Sequence, residues 1–400
     1  QHRVPVQVPR VGLEAAVDHG EPHHVALGDE LVGDRRVAEP VDGVRPRRSA
    51  VDEREAAVTA FLTASPFGHE LWSDCGFLGR FEPALLVCFE LSEFALYQLT
   101  EAFAVHFPGL QVVAVAGDVK DAIRVDEIIG RYRPQVIFHA AAYKHVPLME
   151  DHNAWQAVRN NVLGTWLVAR SAVAFDVPRF VLVSTDKAVN PTNVMGATKR
   201  LAERVCQALA LQGKTQFEIV RFGNVLGSAG SVIPKFAEQI AAGGPVTVTH
   251  PEITRYFMSI REAAQLVLQA GSMGRGGEIF VLDMGQPVRI ADLARDMIRL
   301  SGRSEAEIRI VFSGLRPGEK LYEELLADTE QTLPTHHPKL RIARAEPAVD
   351  GWLEGLLVWL RQRRAVEAIE VRRELRRWVP EYTPGPLAPQ LKAVEAAPKA

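Results

Sequence analysis

Val181-Leu-Val-Ser184-Thr185-Asp186-Lys187-Ala-Val-Asn190-Pro191-Thr-Asn193-Val-Met195-Gly196-Ala-Thr-Lys199 decides the fold of this 400-residue chain. The stretch grows out of Arg179-Phe-Val-Leu-Val, a short β-branched apolar run of the kind that makes a strand buried on both faces. Polar residues crowd the end of that run, and the carboxyl edge of an open parallel sheet is where ligands bind. Asn190-Pro191 interrupts the backbone, because the residue before proline is pushed away from helix. From Val194 the pattern turns helical, so Met195 and Lys199, four apart, share one helix face. Two hydroxyls, a carboxylate and two amines therefore converge at the mouth of a sheet. Such a cluster is costly to desolvate without a task, which marks a candidate active site.

With those residues in place, the chain resembles the short-chain dehydrogenase/reductase superfamily, in its extended, nucleotide-sugar-modifying branch. The run from Ser184 to Lys199 is similar to the UDP-N-acetylglucosamine 4,6-dehydratases of polysaccharide and glycan synthesis. The superfamily normally carries Tyr four residues before the Lys; here Met195 stands there, as in the large, membrane-anchored subgroup of those dehydratases. The resemblance runs from about Arg80 to about Ala343. It implies an α/β fold with a doubly wound parallel (Rossmann-type) sheet and a smaller C-terminal substrate-binding lobe, with NAD as cofactor and a UDP-sugar as partner.

Composition is that of an ordinary globular protein, 47% hydrophobic and 24% charged. A net charge of −3 argues against an electrostatic nucleic-acid or membrane footprint. Cys75, Cys88 and Cys206 are odd in number and scattered, so we expect neither a disulfide framework nor a metal site, and a cytoplasmic setting fits. No apolar run approaches the roughly 20 residues that span a bilayer, and we expect no signal peptide. The expected reading is therefore a chain without the membrane helices that precede the dehydratase domain in the large subgroup. A homo-oligomer is left open.

The first 60 residues show no sustained period and read as a poorly structured extension, with weak helix at Asp52–Thr59. A dinucleotide fold then needs strand, Gly-x-Gly-x-x-Gly, helix, because only glycine lets backbone approach a pyrophosphate. Phe61-Leu-Thr-Ala-Ser65-Pro66-Phe-Gly68 occupies that place. Gly68 matches the last glycine, while Pro66 removes an N–H that a phosphate would use. We expect the sequence before Arg80 not to be ancestral, as a shifted reading frame would leave it.

Ala84-Leu-Leu-Val-Cys88-Phe reads as the next strand, ending in Glu90-Leu-Ser92. An acid there accepts from adenosine ribose hydroxyls and repels a 2′-phosphate, which favours NAD over NADP. A helix over 94–107, a strand over 111–116, a helix over 125–131 and a strand over 134–139 follow, and a long helix runs from Glu150 through Thr165. The resemblance implies that Glu90, Ser92, Asp118, Val119, Ala140, Ala141, Ala142, Ser184 and Phe222 line the cofactor. It also implies that Asn161 supports the lysine, Lys199, which holds the nicotinamide ribose. Lys144, Asn224, Ser231, Val232, Lys235, Thr247, Thr249, Arg255, Arg316 and Glu319 would line the substrate. Arg255 and Arg316, the latter in Arg316-Pro-Gly-Glu319, have the planar fork suited to a diphosphate.

The expected domains are 61–240 for cofactor and 241–345 for nucleotide sugar, with 218–235 shared between them. The lobe would hold helices at 261–271 and 290–301 and the strand Glu278-Ile-Phe-Val-Leu282 between them. In 346–400, Leu353, Leu356, Leu357 and Leu360 pack a helix onto the domain, and a disordered tail runs from Pro380.

In the implied dehydration Asp186 would be the acid if burial raises its pKa, and Lys187 the C5 base if desolvation lowers its own. Met195 has no proton to exchange, so Thr185, Asp186 or Lys187 must take the C4 hydroxyl proton. Two alternatives stand: a UDP-sugar 4-epimerase of the same fold, and a catalytically inactive nucleotide-sugar-binding protein with a degenerate Gly-rich turn.

Overall fold

The computed structural model describes residues 59–63, 83–228, 230–326, 332–343, 351–362 and 364–385. Among the described residues its centre is a sheet of nine strands. Six of them are β1 (Thr59–Thr63), β2 (Leu85–Glu90), β3 (Val112–Ala116), β4 (Val136–His139), β5 (Arg179–Val183) and β6 (Gln216–Arg221). They lie in the parallel order β3-β2-β1-β4-β5-β6. The order reverses beside β1, so the crevice at the carboxyl ends of β1 and β4 is the place where a doubly wound sheet binds a dinucleotide.

Both faces of the sheet are covered. On one side the helices Ala122–Tyr132, Thr165–Ala174 and Val194–Ala210 pack against Phe180, Leu182, Phe217 and Ile219, all buried. On the other, Glu93–His106 and Ile260–Met273 cover Leu86, Cys88, Val181 and Val220. Alternate residues of each strand thus feed opposite cores, as the two-residue period of a strand requires. A third, smaller core joins the helix Val232–Ala241 to the helix Ile290–Leu300 through Phe236, Val246, Ala294, Ile298 and Ile308, all buried. Among the described residues no helix is long and apolar enough to cross a membrane.

Several expectations change here. The strand over 278–282, expected in the smaller lobe, is Ile279–Leu282 and extends the main sheet in parallel beside β6. The antiparallel strand Leu340–Ala343 and then Thr332–Pro334 follow it. The helix expected from Glu150 through Thr165 starts at Ala154 and continues to Ala174, with one widened turn. It runs as Ala154–Val158, a π-helical turn Arg159–Gly164, and Thr165–Ala174, and the wide turn carries the buried Asn160 and Asn161. Upstream of Arg80, β1 fills the first-strand position, with Phe61 opposite Val87 and Ile137, so this part of the fold is present despite the sequence there. Thr59, expected in weak helix, opens that strand. The rest of the proposed extension and the segment with Gly68 lie outside the described residues.

The C-terminal expectation is half right. Leu356 and Leu360 of the helix Trp352–Leu360 are buried on the domain, and Trp359 meets Trp155 at a ring separation of 5.5 Å. The tail is ordered further than expected. Tyr382 is fully buried, and the Thr383 and Gly385 amides donate to the carbonyls of Pro191 (3.0 Å) and Thr192 (3.2 Å). Residues 386–400 lie outside the described residues.

Candidate active site

At the end of β5 the chain leaves the sheet and turns through a short 3₁₀ segment, Asp186–Ala188. Asn190 adopts the left-handed conformation that asparagine tolerates (φ 40°), and Asn193 caps the helix Val194–Ala210 by accepting from the Gly196 amide at 2.7 Å. Glycine is required at 196, because a Cβ there would overlap the Lys187 carbonyl oxygen. This close approach brings the helix face of Met195 and Lys199 against the Thr185-Asp186-Lys187 row.

A cavity of about 490 Å³ opens at that point, within the range of small-molecule sites. Ala140, Ala142, Lys144, Ser184, Thr185, Lys187, Met195, Lys199, Phe222 and Asn224 line its sheet side. Ser231, Val232, Lys235, Thr247, Thr249, Arg255, Arg316 and Glu319 line the other. Asp186 sits just beneath, 1% exposed. Its Oδ1 accepts from Thr185 Oγ1 (2.9 Å) and Lys187 Nζ (3.0 Å), while its Oδ2 is buried without a partner among the described residues.

The structure corrects the expected state of Lys187. Burial by itself would lower its pKa, but the Asp186 and Glu323 carboxylates outweigh that and hold it raised. The ammonium donates to Asn224 Oδ1 at 3.1 Å and pairs with Glu323 Oε1 at 3.6 Å. Lys199 behaves in the opposite way: burial pushes it down to about 8, and its Nζ donates to the Val183 carbonyl at 2.6 Å.

Other expected site residues have partners within the protein. Ser184 Oγ donates to Glu203 Oε1 at 2.6 Å, and Glu203 also takes both Nε and Nη2 of Arg221 (2.8 and 2.7 Å). Burial alone would raise the Glu203 pKa; Arg221, Arg200 and Ser184 hold it lowered. The hydroxyl of Ser184 therefore clamps β5 and β6 to the helix that carries Lys199. Ser92 Oγ caps the helix Glu93–His106 by accepting from the Ala95 amide. Val119 packs in the core, where a Cβ on Gly164 would press on it, and Ala141 belongs to the same core. Asp118 holds Lys120 at 2.8 Å. Asn161 accepts from the Tyr143 amide (2.7 Å) and donates to the Tyr143 carbonyl and Thr198 Oγ1, so it ties the β4 loop to the helix one residue before Lys199.

Arg255 is also spoken for. It is 7% exposed and donates to the carbonyls of Thr254, Leu321 and Lys320, with Glu319 and Glu323 at 3.5 and 3.6 Å. Its fork holds the 319–323 turn. Arg316 is half exposed, with Glu319 at 3.6 Å.

Glu323 escaped the sequence reading. In Glu319-Lys-Leu-Tyr-Glu323-Glu324 it looks like any solvated charge, and only its burial, at 8% exposure, sets it apart. Glu203 left a fainter signal, lying four residues after Lys199 on the same helix.

At the far end of the crevice Glu90 is 3% exposed and terminates β2. One oxygen accepts from the Ser92 amide at 2.9 Å; the other is buried without a partner among the described residues, and burial raises its pKa. An orphaned carboxylate oxygen at this position fits a group bearing vicinal hydroxyls, so the residues present suit the adenosine ribose of NAD.

Known proteins share this arrangement of sequence and fold. Residues 63–345 match the family described as polysaccharide biosynthesis protein. The chain is 55% identical over 258 residues to the capsular polysaccharide biosynthesis protein CapD of Staphylococcus aureus, covering 64% of this chain and 43% of CapD. It is 45% identical over 342 residues to the probable polysaccharide biosynthesis protein EpsC of Bacillus subtilis, 82% of this chain and 56% of EpsC. The chain thus spans about half the length of these curated relatives. A UDP-glucose 4-epimerase of Rickettsia rickettsii is 39% identical over 217 residues, 54% of this chain and 62% of the epimerase. Among solved structures, Pen from Bacillus thuringiensis superposes with a TM-score of 0.65 at 31% identity, covering 76% of this chain and 98% of Pen. The dTDP-glucose 4,6-dehydratase DesIV of Streptomyces venezuelae, solved with NAD, gives 0.58 at 22% identity over 81% of this chain and 99% of DesIV, and shows the fold alone.

Proposed function

This chain belongs to the polysaccharide biosynthesis protein family, and from that premise we propose that it is an NAD-dependent nucleotide-sugar 4,6-dehydratase acting on UDP-N-acetylglucosamine. The observation that carries the reading is the hydrogen-bonded row Thr185–Asp186–Lys187, whose Thr185 and Lys187 line the cavity together with Lys235 and Arg316. An epimerase needs no acid and base at C5 and C6, and this row supplies both.

When bound, NAD would take hydride from sugar C4 and return it at C6. Glu90 would hold its ribose, and Lys199 the nicotinamide ribose. Lys235, Arg316 and the amides that open the helix Val232–Ala241 would hold the diphosphate, since Arg255 is engaged within the protein. Thr185 passes the C4 hydroxyl proton to Asp186, its partner at 2.9 Å. Asp186 then gives that proton to the C6 hydroxyl, which leaves as water. Lys187 takes the C5 proton and returns it to C5, so each group ends as it began. Met195, 3% exposed, offers no proton, which leaves the C4 step to Thr185 and Asp186.

The test is product analysis with NAD-loaded protein and UDP-N-acetylglucosamine. A 4-keto-6-deoxy sugar, which absorbs after alkali, is expected, and Thr185→Val should lose about 10²-fold or more in turnover. Formation of the C4 epimer with no ketone refutes the reading in favour of a UDP-sugar 4-epimerase, the activity named for the Rickettsia relative. Purified protein that binds UDP but neither carries nor takes up NAD would instead identify an inactive nucleotide-sugar-binding protein.

A further inference from the structure

Lys187 cannot act on C5 while it carries its proton, and its surroundings hold that proton in place. Its ammonium donates to Asp186 Oδ1 at 3.0 Å and Asn224 Oδ1 at 3.1 Å and pairs with Glu323 Oε1 at 3.6 Å. In the dehydration above Asp186 is occupied with the C4 and C6 protons, and an amide oxygen such as that of Asn224 is not a base. Glu323 remains. Its side chain is 4% exposed, lines the cavity, and keeps a second oxygen, Oε2, buried without a partner among the described residues.

We propose that Glu323 accepts the ammonium proton of Lys187, so that the neutral amine is ready to take the C5 proton of the sugar. This rests on the dehydratase reading of the site. The transfer breaks one Nζ–H bond and forms one Oε–H bond, and it moves no net charge into or out of the cavity. Neutral Lys187 then takes the C5 proton, gives it back to C5 after hydride reaches C6, and recovers its own proton from Glu323. Glu323 touches the reaction only through Lys187 and is a positioning residue.

The charges around the pair act on the transfer in both directions. Arg255, 3.6 Å from Glu323 Oε1 and permanently charged, repels the ammonium. Burial raises the proton affinity of Glu323, and Asp186 raises it further, against Lys187, Arg255 and Lys320, which oppose that effect. Glu319, on the other side of Arg255 at 3.5 Å, completes the charged groups facing the cluster.

The experiment compares Glu323→Gln and Glu323→Asp with the parent protein. UDP affinity is measured first, and is expected to be unchanged in both. Because transfer within the pair needs no exchange with water, parent turnover should be flat through neutral pH. In Glu323→Gln the amine can be freed only by loss of its proton to water. Turnover should then fall about 10²-fold at the low end of the range and climb about tenfold per pH unit, and Glu323→Asp should restore the flat profile. Parent-like turnover and profile in Glu323→Gln overturns the inference, as does a loss in Glu323→Gln that no pH relieves while UDP still binds. A second measurement does not depend on turnover. In protein labelled with [¹³C]lysine, the Lys187 Cε signal, assigned by its absence in Lys187→Arg, should carry an extra titration step from Glu323 that Glu323→Gln lacks. Identical titration curves overturn the inference. A parent protein that shows the extra step but makes no ketone would refute the dehydratase reading and leave the coupled pair standing.

Discussion

Replacing Arg372 by methionine should destabilise the protein far more than the loss of one surface charge. Arg372 lies in the helix Ala368–Trp378 and places Nη2 2.7 Å from Glu150 Oε2 and 3.0 Å from the Glu150 carbonyl, with Nη1 3.1 Å from the Gly385 carbonyl. The other Glu150 oxygen accepts from the Val194 amide at 2.5 Å, at the first residue of the helix that carries Met195 and Lys199. Both side chains are buried, 8% and 6% exposed. Methionine fills much of the volume but leaves Glu150 with a single amide donor. Breaking a buried pair from one side costs about 3–5 kcal/mol. At roughly 2–4 °C per kcal/mol for a large domain, the midpoint should fall by about 6–20 °C.

The pH dependence gives the sharper check. Burial already raises the Glu150 pKa, while the Val194 amide and Arg372 oppose that rise. Without Arg372 it must rise further. A group whose folded pKa is raised contributes stability that is present at low pH and lost as pH rises through the folded value. The deficit of Arg372→Met should therefore shrink in acid and be complete in alkali. Denaturant unfolding at several pH values measures it, and Glu150→Gln/Arg372→Met should recover most of the loss. A deficit below about 1 kcal/mol, a deficit that grows in acid, or strictly additive single losses would refute the reasoning.

Three further outcomes are expected. Gly196→Ala forces a methyl into the Lys187 carbonyl and should cost about 1–3 kcal/mol in unfolding experiments; a neutral effect would contradict the tight helix approach. Glu218, fully buried beside Arg179, is pushed up to about 8 by burial, so its contribution is complete below the ordinary carboxylate range and disappears as pH rises through about 8. Glu218→Gln should flatten the stability profile between about pH 5 and 8, and an unchanged slope would count against it. Glu90→Gln should weaken NAD binding about tenfold by titration calorimetry, the effect of about 1.4 kcal/mol from one charged hydrogen bond, and unchanged affinity would remove Glu90 from the ribose site.

Much of the site is legible from residue order alone, because it lies within one short stretch. The β5 strand, the break at Asn190-Pro191 and the Met195/Lys199 face are local consequences of periodicity and backbone sterics, and they appear where expected. The acidic strand end at Glu90 was legible for the same reason. The protonation of Lys187 was not, because its decisive partner, Glu323, lies far along the chain in an ordinary-looking charged segment. The partners of Arg255 were not legible for a related reason: a guanidinium suited to phosphate is equally suited to carbonyls, and nothing near it in sequence says that it meets Thr254, Lys320 and Leu321.

Residue order settled the raw material of the fold: apolar runs of strand length, helices of the right period, and a cluster of proton-bearing groups after one strand. These depend on neighbours a few residues apart, where backbone geometry acts directly. Folding in three dimensions was needed to settle which charges are buried together and that the chain near its C-terminus braces residues 191–194. It also placed the short run Thr59–Thr63 in the middle of the sheet. Burial and charge pairing set proton affinities, and both are fixed by contacts between distant parts of the chain.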